Sequence, residues 1–106
     1  MSNYETTVLN AISKNLHPVI KFIKENYILE LKDIEPQLCT TFFDEFDGFC
    51  VIKGYPKISK YDFTKVMKSF GFHSFRSSNE FKYKFSYKEL FLKAKQNKWI
   101  NEQIFN

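Results

Sequence analysis

The chain has 106 residues, of which 43% are hydrophobic and 26% charged, and this composition indicates one folded domain and argues against a disordered chain. The chain has two cysteines without a CxxC pair and two histidines, which argues against a zinc site and a disulfide framework. Its three glycines are dispersed, which argues against a glycine-rich phosphate loop, and the lack of any long apolar run argues against a membrane-spanning segment. The net charge of +4 is unevenly divided, because residues 1–52 carry four lysines against eight acidic residues, whereas residues 53–98 carry twelve basic residues against three acidic ones.

This charge asymmetry predicts that the C-terminal half meets a polyanion. Each phosphate that a lysine or arginine neutralises releases counterions, and this release strengthens binding. A solvated lysine-rich surface would account for the composition equally well. No secretory signal is evident, so we expect an intracellular protein, cytoplasmic or nuclear. Cys39 and Cys50 lie among apolar residues and are expected to be reduced, buried and structural.

The first helical pattern covers residues 5–28, and Pro18 falls inside it. Proline suits the first turn of a helix and disrupts an interior, so we predict two helices, with His17-Pro18 opening the second. Residues 29–40 form a connector that packs through its apolar residues and has room for a short strand.

A further helix is expected to begin at a cap on Thr40 or Thr41 and to run to about Lys53, with Gly54 just past its end. Its predicted core-facing residues are Phe43, Phe46 and Cys50, flanked by Phe42 and Phe49. The opposite face carries Asp44, Glu45 and Asp47, whose spacing matches no calcium loop and which we interpret as a solvated acidic face.

The best-defined element begins after the turn at residues 54–56. Residues 59–62 (SKYD) have the form of a capping box, and Gly71 supplies a left-handed residue to end the helix. The apolar spacing predicts that one face packs in the core, through Phe63, Val66, Met67 and Phe70. The other face is left to solvent, with Lys60, Thr64, Lys65, Lys68 and Ser69.

A hairpin follows, formed by residues 72–76 and 81–85 around a turn at residues 77–80. In the second strand Phe81, Tyr83 and Phe85 share one face, while Lys82 and Lys84 share the other. Residues 86–89 (SYKE) form a second capping box and open a last helix, after which Trp99 and Ile100 fold back onto the core. The predicted core comprises Phe43, Phe46, Cys50, Phe63, Val66, Met67, Phe70 and Leu90.

Two helices, a connecting loop and a basic hairpin, in this order, are typical of a helix-turn-helix with a wing. We therefore predict an α+β fold, a mostly helical winged helix-turn-helix with a C-terminal β-hairpin wing and a final helix. One domain would cover residues 1–106. Residues 1–38 would form an N-terminal helical extension and connector, and residues 39–100 the helix-turn-helix, the wing and the last helix.

The capped basic helix is then the element that enters a groove of nucleic acid, while the wing contacts the adjacent backbone. Arg76, the only arginine, lies near the wing tip and can fork onto a phosphate or enter a minor groove. No catalytic arrangement has local support, so we expect neither enzymatic activity nor a cofactor or metal. The predicted nucleic-acid-binding residues are Lys57, Ser59, Lys60, Thr64, Lys65, Lys68, Arg76, Ser77, Lys82 and Lys84.

Four segments resemble a known family: residues 17–23 (HPVIKFI), 42–50 (FFDEFDGFC), 54–65 (GYPKISKYDFTK) and 71–72 (GF). Their order resembles that of the C-terminal winged-helix region of the poxvirus-type primase-helicases of large DNA viruses, phages and mobile elements. Phe49 stands where that family usually has tryptophan, and the primase and helicase modules are absent. The resemblance covers roughly residues 17–85 and implies a DNA-binding accessory domain in viral or mobile-element replication.

Two functions follow from the sequence. The first is nucleic-acid binding, to duplex or forked DNA, with RNA as an alternative ligand. The second is protein–protein interaction, in which the aromatic surface docks a replication or transcription partner. Salt distinguishes them, because phosphate binding weakens steeply with ionic strength and an apolar interface does not.

Overall fold

A computed structural model describes residues 16–100, and their elements form an α+β structure. The helices are α1 (Pro18–Ile23, continued by a π-helical segment, Lys24–Ile28), α2 (Cys39–Lys53), α3 (Lys60–Ser69) and α4 (Tyr87–Gln96). The strands are β1 (Ile34–Leu38), β2 (Phe75–Ser77) and β3 (Glu80–Phe85). The helix predicted to begin at residue 5 lies outside the described residues. Two compact units form: one contains the described residues 16–32 and 87–100, and the other is Asp33–Ser86.

The first unit pairs α1 with α4. The predicted start of α1 is confirmed: His17 is the N-cap, its Nδ1 accepts a hydrogen bond from the amide of Val19 at 3.1 Å, and Pro18 occupies the first turn. The π-helical segment contacts α4, which begins directly after Ser86 as predicted. Beyond α4 the chain reverses and buries Trp99 and Ile100 in this unit, also as predicted.

The second unit contains an antiparallel sheet of three strands in the order β1-β3-β2. The connector predicted to allow a short strand forms β1, whose pairing with β3 is irregular between Ile34 and Gln37. Pro36 lies in this irregular stretch, as expected of a residue that cannot donate to a ladder. The hairpin turn is shorter than predicted: Ser77 pairs with Glu80, and only Ser78 and Asn79, both with positive φ, connect the strands.

Helix α2 begins earlier than the sequence predicted. Cys39 is its first residue and Leu38 its N-cap, so the expected cap on Thr40 or Thr41 is wrong. The reason is that β1 runs directly into α2, and pairing of Leu38 with Lys82 determines where the strand ends. The buried face changes accordingly, because Phe42 becomes fully buried and Phe43 only half-buried. Gly54, with φ 74°, ends the helix as predicted.

Helix α3 matches its predicted caps. The hydroxyl of Ser59 accepts a hydrogen bond from the amide of Asp62 at 3.1 Å, and Gly71 adopts φ 81°. Phe63 and Met67 are buried, whereas Val66 and Phe70 are only half-buried, so the expectation that all four lie in the core is half correct. The buried face of α3 is narrow because the helix packs against α2 mainly through Phe63, whose ring lies near three phenylalanine rings of α2.

An aromatic cluster joins α2, α3 and β3. The ring of Phe63 has its centroid 4.9 Å from that of Phe46, 5.4 Å from Phe43 and 6.0 Å from Phe42. Phe42 also contacts Tyr83 edge to face at 5.5 Å. Since Tyr83 lies on β3, these contacts hold α2 and α3 against one face of the sheet.

Candidate functional site

The basic side chains of α3 point in two directions. Lys60, Thr64 and Lys68 are spaced four residues apart and therefore form one row along the helix. Both lysines of this row are exposed, and Thr64 is half-buried. Lys65 is also exposed but lies outside the row, with its ammonium 5.4 Å from the ring centroid of Tyr61. Lys57 and Ser59, in the preceding loop, are exposed as well.

The hairpin places Arg76 and Phe81 side by side. The two residues are direct partners across β2 and β3, so their side chains lie on the same face of the sheet. A guanidinium nitrogen of Arg76 donates to the side-chain oxygen of Asn79 at 3.1 Å. Phe81 leaves 58% of its surface exposed. This face also carries Tyr83, and through Tyr83 it contacts the helices.

Three of the predicted binding residues lie on the opposite face of the sheet. Lys82 pairs with Phe75 and Leu38, so it points away from the face of Arg76 and Tyr83. By strand alternation Lys84 and Ser77 share the side of Lys82. The structure therefore brings Lys60, Thr64, Lys68 and Arg76 toward one side of the sheet and separates Ser77, Lys82 and Lys84 from them. The sequence had assigned all seven to nucleic-acid binding.

A pocket of about 450 Å³ lies where α3 meets the sheet. The row Lys60, Thr64 and Lys68 forms its helical side, and Phe81 and Tyr83 belong to its sheet side. The remaining lining residues come from the β1–α2 junction (Leu38, Cys39 and Thr40), the segment before β2 (Ser74) and the start of β3 (Glu80). Sequence reasoning missed this pocket because its lining comes from four separate segments, although the helical row was visible in the spacing.

Neutral polar groups line part of this pocket. The thiol of Cys39 lies beside the side chains of Ser74 and Tyr83, and Tyr83 also interacts with Thr64. Burial raises the pKa of the Cys39 thiol. Burial and the nearby Cys39 raise the pKa of Tyr83 to about 12. Both groups are therefore protonated at neutral pH, and Cys39 lacks the low pKa of an activated nucleophile.

A metal site, a disulfide and a membrane-spanning helix are three further features for which the described residues give no support. Between residues 16 and 100, no group of three or more His, Cys, Asp or Glu side chains could hold a metal ion. Cys39 and Cys50 are both free thiols, but only Cys50 is buried, so the expectation that both are buried is wrong for Cys39, which is half-buried and lines the pocket. On α2, Asp44 and Glu45 are exposed as predicted, whereas Asp47, predicted on the same solvated face, is half-buried. None of the described helices combines the length and apolarity needed to cross a membrane.

Comparison of the chain with protein-family models, with curated proteins and with solved structures found no match in any of the three. The resemblance to the primase-helicase tail domain consequently stays a prediction from the sequence pattern.

Proposed function

We propose that the protein is a winged-helix module that binds nucleic acid, DNA in the first instance, through α3 and the β2–β3 hairpin. The observation that carries the proposal is the topology of the second unit. Its elements follow the order β1, α2, α3, β2, β3, and its sheet the order β1-β3-β2, which is the arrangement typical of winged helices. In this arrangement α3 corresponds to the recognition helix and the β2–β3 hairpin to the wing.

Charge within the second unit supports the same assignment. Its acidic residues concentrate before and within α2, whereas all eight of its basic residues follow from Lys53 onward. Lys57, Lys60, Lys65, Lys68 and Arg76 are exposed there. A polyanion is attracted to the surface of α3 and the hairpin tip and repelled by the acidic face of α2.

The mode of binding follows from the side chains that α3 offers. Helix α3 contains lysines, which also bind phosphates as point charges, but no asparagine or glutamine, the residues that read adenine through paired hydrogen bonds. Contacts to phosphates therefore dominate, and sequence specificity is weak. Such a module suits an accessory role in DNA replication, where the protein is held on DNA irrespective of sequence.

The experiment is a salt titration of binding to duplex DNA. Replacing Lys65, Lys68 and Arg76 by glutamine removes three charges and leaves a shorter, uncharged polar side chain at each position. The slope of log affinity against log salt should fall by about three units in magnitude, since each lost phosphate contact lowers it by about one. The matched control replaces Lys88, Lys95 and Lys98 by glutamine, which removes the same charge from α4 and the turn after it.

Circular dichroism establishes that both variants are folded. A parent-like slope for the Lys65/Lys68/Arg76 variant, or equal losses in the two variants, would refute the proposed surface.

A second candidate function is protein docking, and one observation favours it. Val51 and Ile52, near the end of α2, are 71% and 84% exposed. Neighbouring apolar side chains in solvent are a feature of protein-interaction surfaces. If this function holds, replacing both residues by serine will abolish partner binding and leave the salt dependence of DNA binding unchanged.

A further inference from the structure

The pocket beside α3 has properties that phosphate binding does not require. Its volume of about 450 Å³ lies within the range of roughly 300–1,000 Å³ that small-molecule sites occupy. Its lining combines an exposed aromatic ring, neutral polar groups and two lysines. A ligand that uses all three has an aromatic part, polar edges and negative charge.

The aromatic part would meet Phe81. This ring is more than half exposed although it is large and apolar, and it lies beside Arg76 on the same face of the sheet. An exposed ring at the side of a pocket offers a flat surface on which a base can stack. An arginine next to such a ring can reach a phosphate or stack on the same base.

The negative charge would meet Lys60 and Lys68. Eight residues of helix separate them, about 12 Å along the axis at 1.5 Å per residue, with Thr64 between. The two ammonium groups can therefore approach phosphates on both sides of a single nucleotide. Glu80 also borders the pocket, but its pairing with Ser77 places its side chain on the opposite face of the sheet, away from Phe81.

We propose that this pocket binds one unpaired nucleotide, with the base stacked on Phe81 and the flanking phosphates near Lys60 and Lys68. The nucleotide comes from a single-stranded segment of the bound nucleic acid or from free mononucleotide, which share this chemistry. In its strand-bound form the inference rests on the proposed function, and it makes the protein a reader of junctions between duplex and single strand. The base edge forms hydrogen bonds with the hydroxyls of Ser74 and Tyr83 and with the thiol of Cys39. The Thr64 hydroxyl donates to the carbonyl of Lys60 at 3.0 Å and can accept a hydrogen bond from the base.

The test compares three probes with the full chain: a blunt DNA duplex, the same duplex with a single-stranded extension, and adenosine monophosphate alone. The parent is expected to bind the extended duplex more tightly than the blunt one. Phe81→Ala should weaken binding to the extended duplex by about 5- to 150-fold, the range for loss of one stacked base, and leave the blunt duplex unaffected. Phe81→Trp should retain the preference.

The matched control is Phe75→Ala, which removes a partly exposed ring from the opposite face of the same hairpin and should behave like the parent. A second measurement requires no substitution. Cys39 lines the pocket, and binding of the extended duplex should slow its alkylation, followed by mass spectrometry at alkaline pH, more than the blunt duplex does.

The outcomes separate the two proposals. Salt-dependent binding of both duplexes with equal affinity, and equal alkylation of Cys39, overturns the pocket assignment and leaves the proposed function standing. Failure of every probe to bind overturns both. Binding of adenosine monophosphate that depends on Phe81, without preference for the extended duplex, supports the pocket and assigns it to free nucleotide.

Discussion

Replacing Phe63 by alanine tests how the two central helices pack. Phe63 is 1% exposed, and three phenylalanine rings of α2 lie with their centroids 4.9 to 6.0 Å from its own. Truncation of a buried phenylalanine costs about 3–5 kcal/mol through lost burial and the cavity left behind. Because ring pairs add roughly 0.5–1.5 kcal/mol each, we expect the upper part of that range, about 4–5 kcal/mol.

The assay is urea unfolding followed by circular dichroism. A protein of this length has about 5–15 kcal/mol of stability, so Phe63→Ala can leave little folded protein to measure. Phe63→Leu keeps most of the buried volume and should cost roughly 1–2 kcal/mol, which remains measurable. Phe75→Ala is the control, since 40% exposure in an edge strand predicts a loss below about 1 kcal/mol. The assigned buried face of α3 is wrong if Phe63→Ala proves no more destabilising than Phe75→Ala and the free energy of unfolding falls with urea concentration at the same slope in both variants.

Two further predictions concern backbone conformation and pH. Gly54→Ala should destabilise the protein by about 1 kcal/mol because φ is 74° at this position. Gly48 lies inside α2 with nothing within 4 Å of an added Cβ, so Gly48→Ala should stabilise the protein by about 0.5–1 kcal/mol. Thermal unfolding of both variants tests this, and equal losses of stability would contradict the left-handed conformation of Gly54. Burial lowers the pKa of His17, and its Nδ1 can cap α1 only when that nitrogen is unprotonated. The unfolded chain therefore binds the proton more readily than the folded one. The free energy of unfolding should fall as the pH drops from about 7.5 through 6.5 and below. His17→Asn keeps a capping acceptor that does not titrate. If the free energy of unfolding changes equally with pH in the parent and in this variant, His17 contributes nothing to the pH dependence of stability.

Several features of the described residues could be predicted from neighbouring residues alone. His17 followed by proline marks the start of α1, and Ser59 with Asp62 three residues later marks the start of α3. Gly54 and Gly71 mark helix ends because a left-handed residue is needed there. Caps of this kind depend on hydrogen bonds over three or four residues, so local sequence carries the information.

The start of α2 and the depth of its side chains could not be predicted in this way. Thr40 and Thr41 are better capping residues than Leu38, yet the helix begins at Cys39. The pairing of β1 with a strand more than forty residues later sets that boundary. Phe42 is fully buried because its ring packs against Tyr83 of β3 and Phe63 of α3, residues far from it in the sequence.

For the candidate site, local sequence determined the chemistry and the tertiary structure decided the geometry. Spacing along α3 was enough to place Lys60, Thr64 and Lys68 in one row, and alternation along β3 was enough to separate Phe81 from Lys82. Which of these two faces of β3 meets α3 depends on strand register and on the packing of Phe42 against Tyr83, contacts between residues far apart in the chain. Those contacts place Arg76 and Phe81 on the face of the sheet that meets α3 and Lys84 on the opposite face. They also create a pocket whose lining comes from several separate segments.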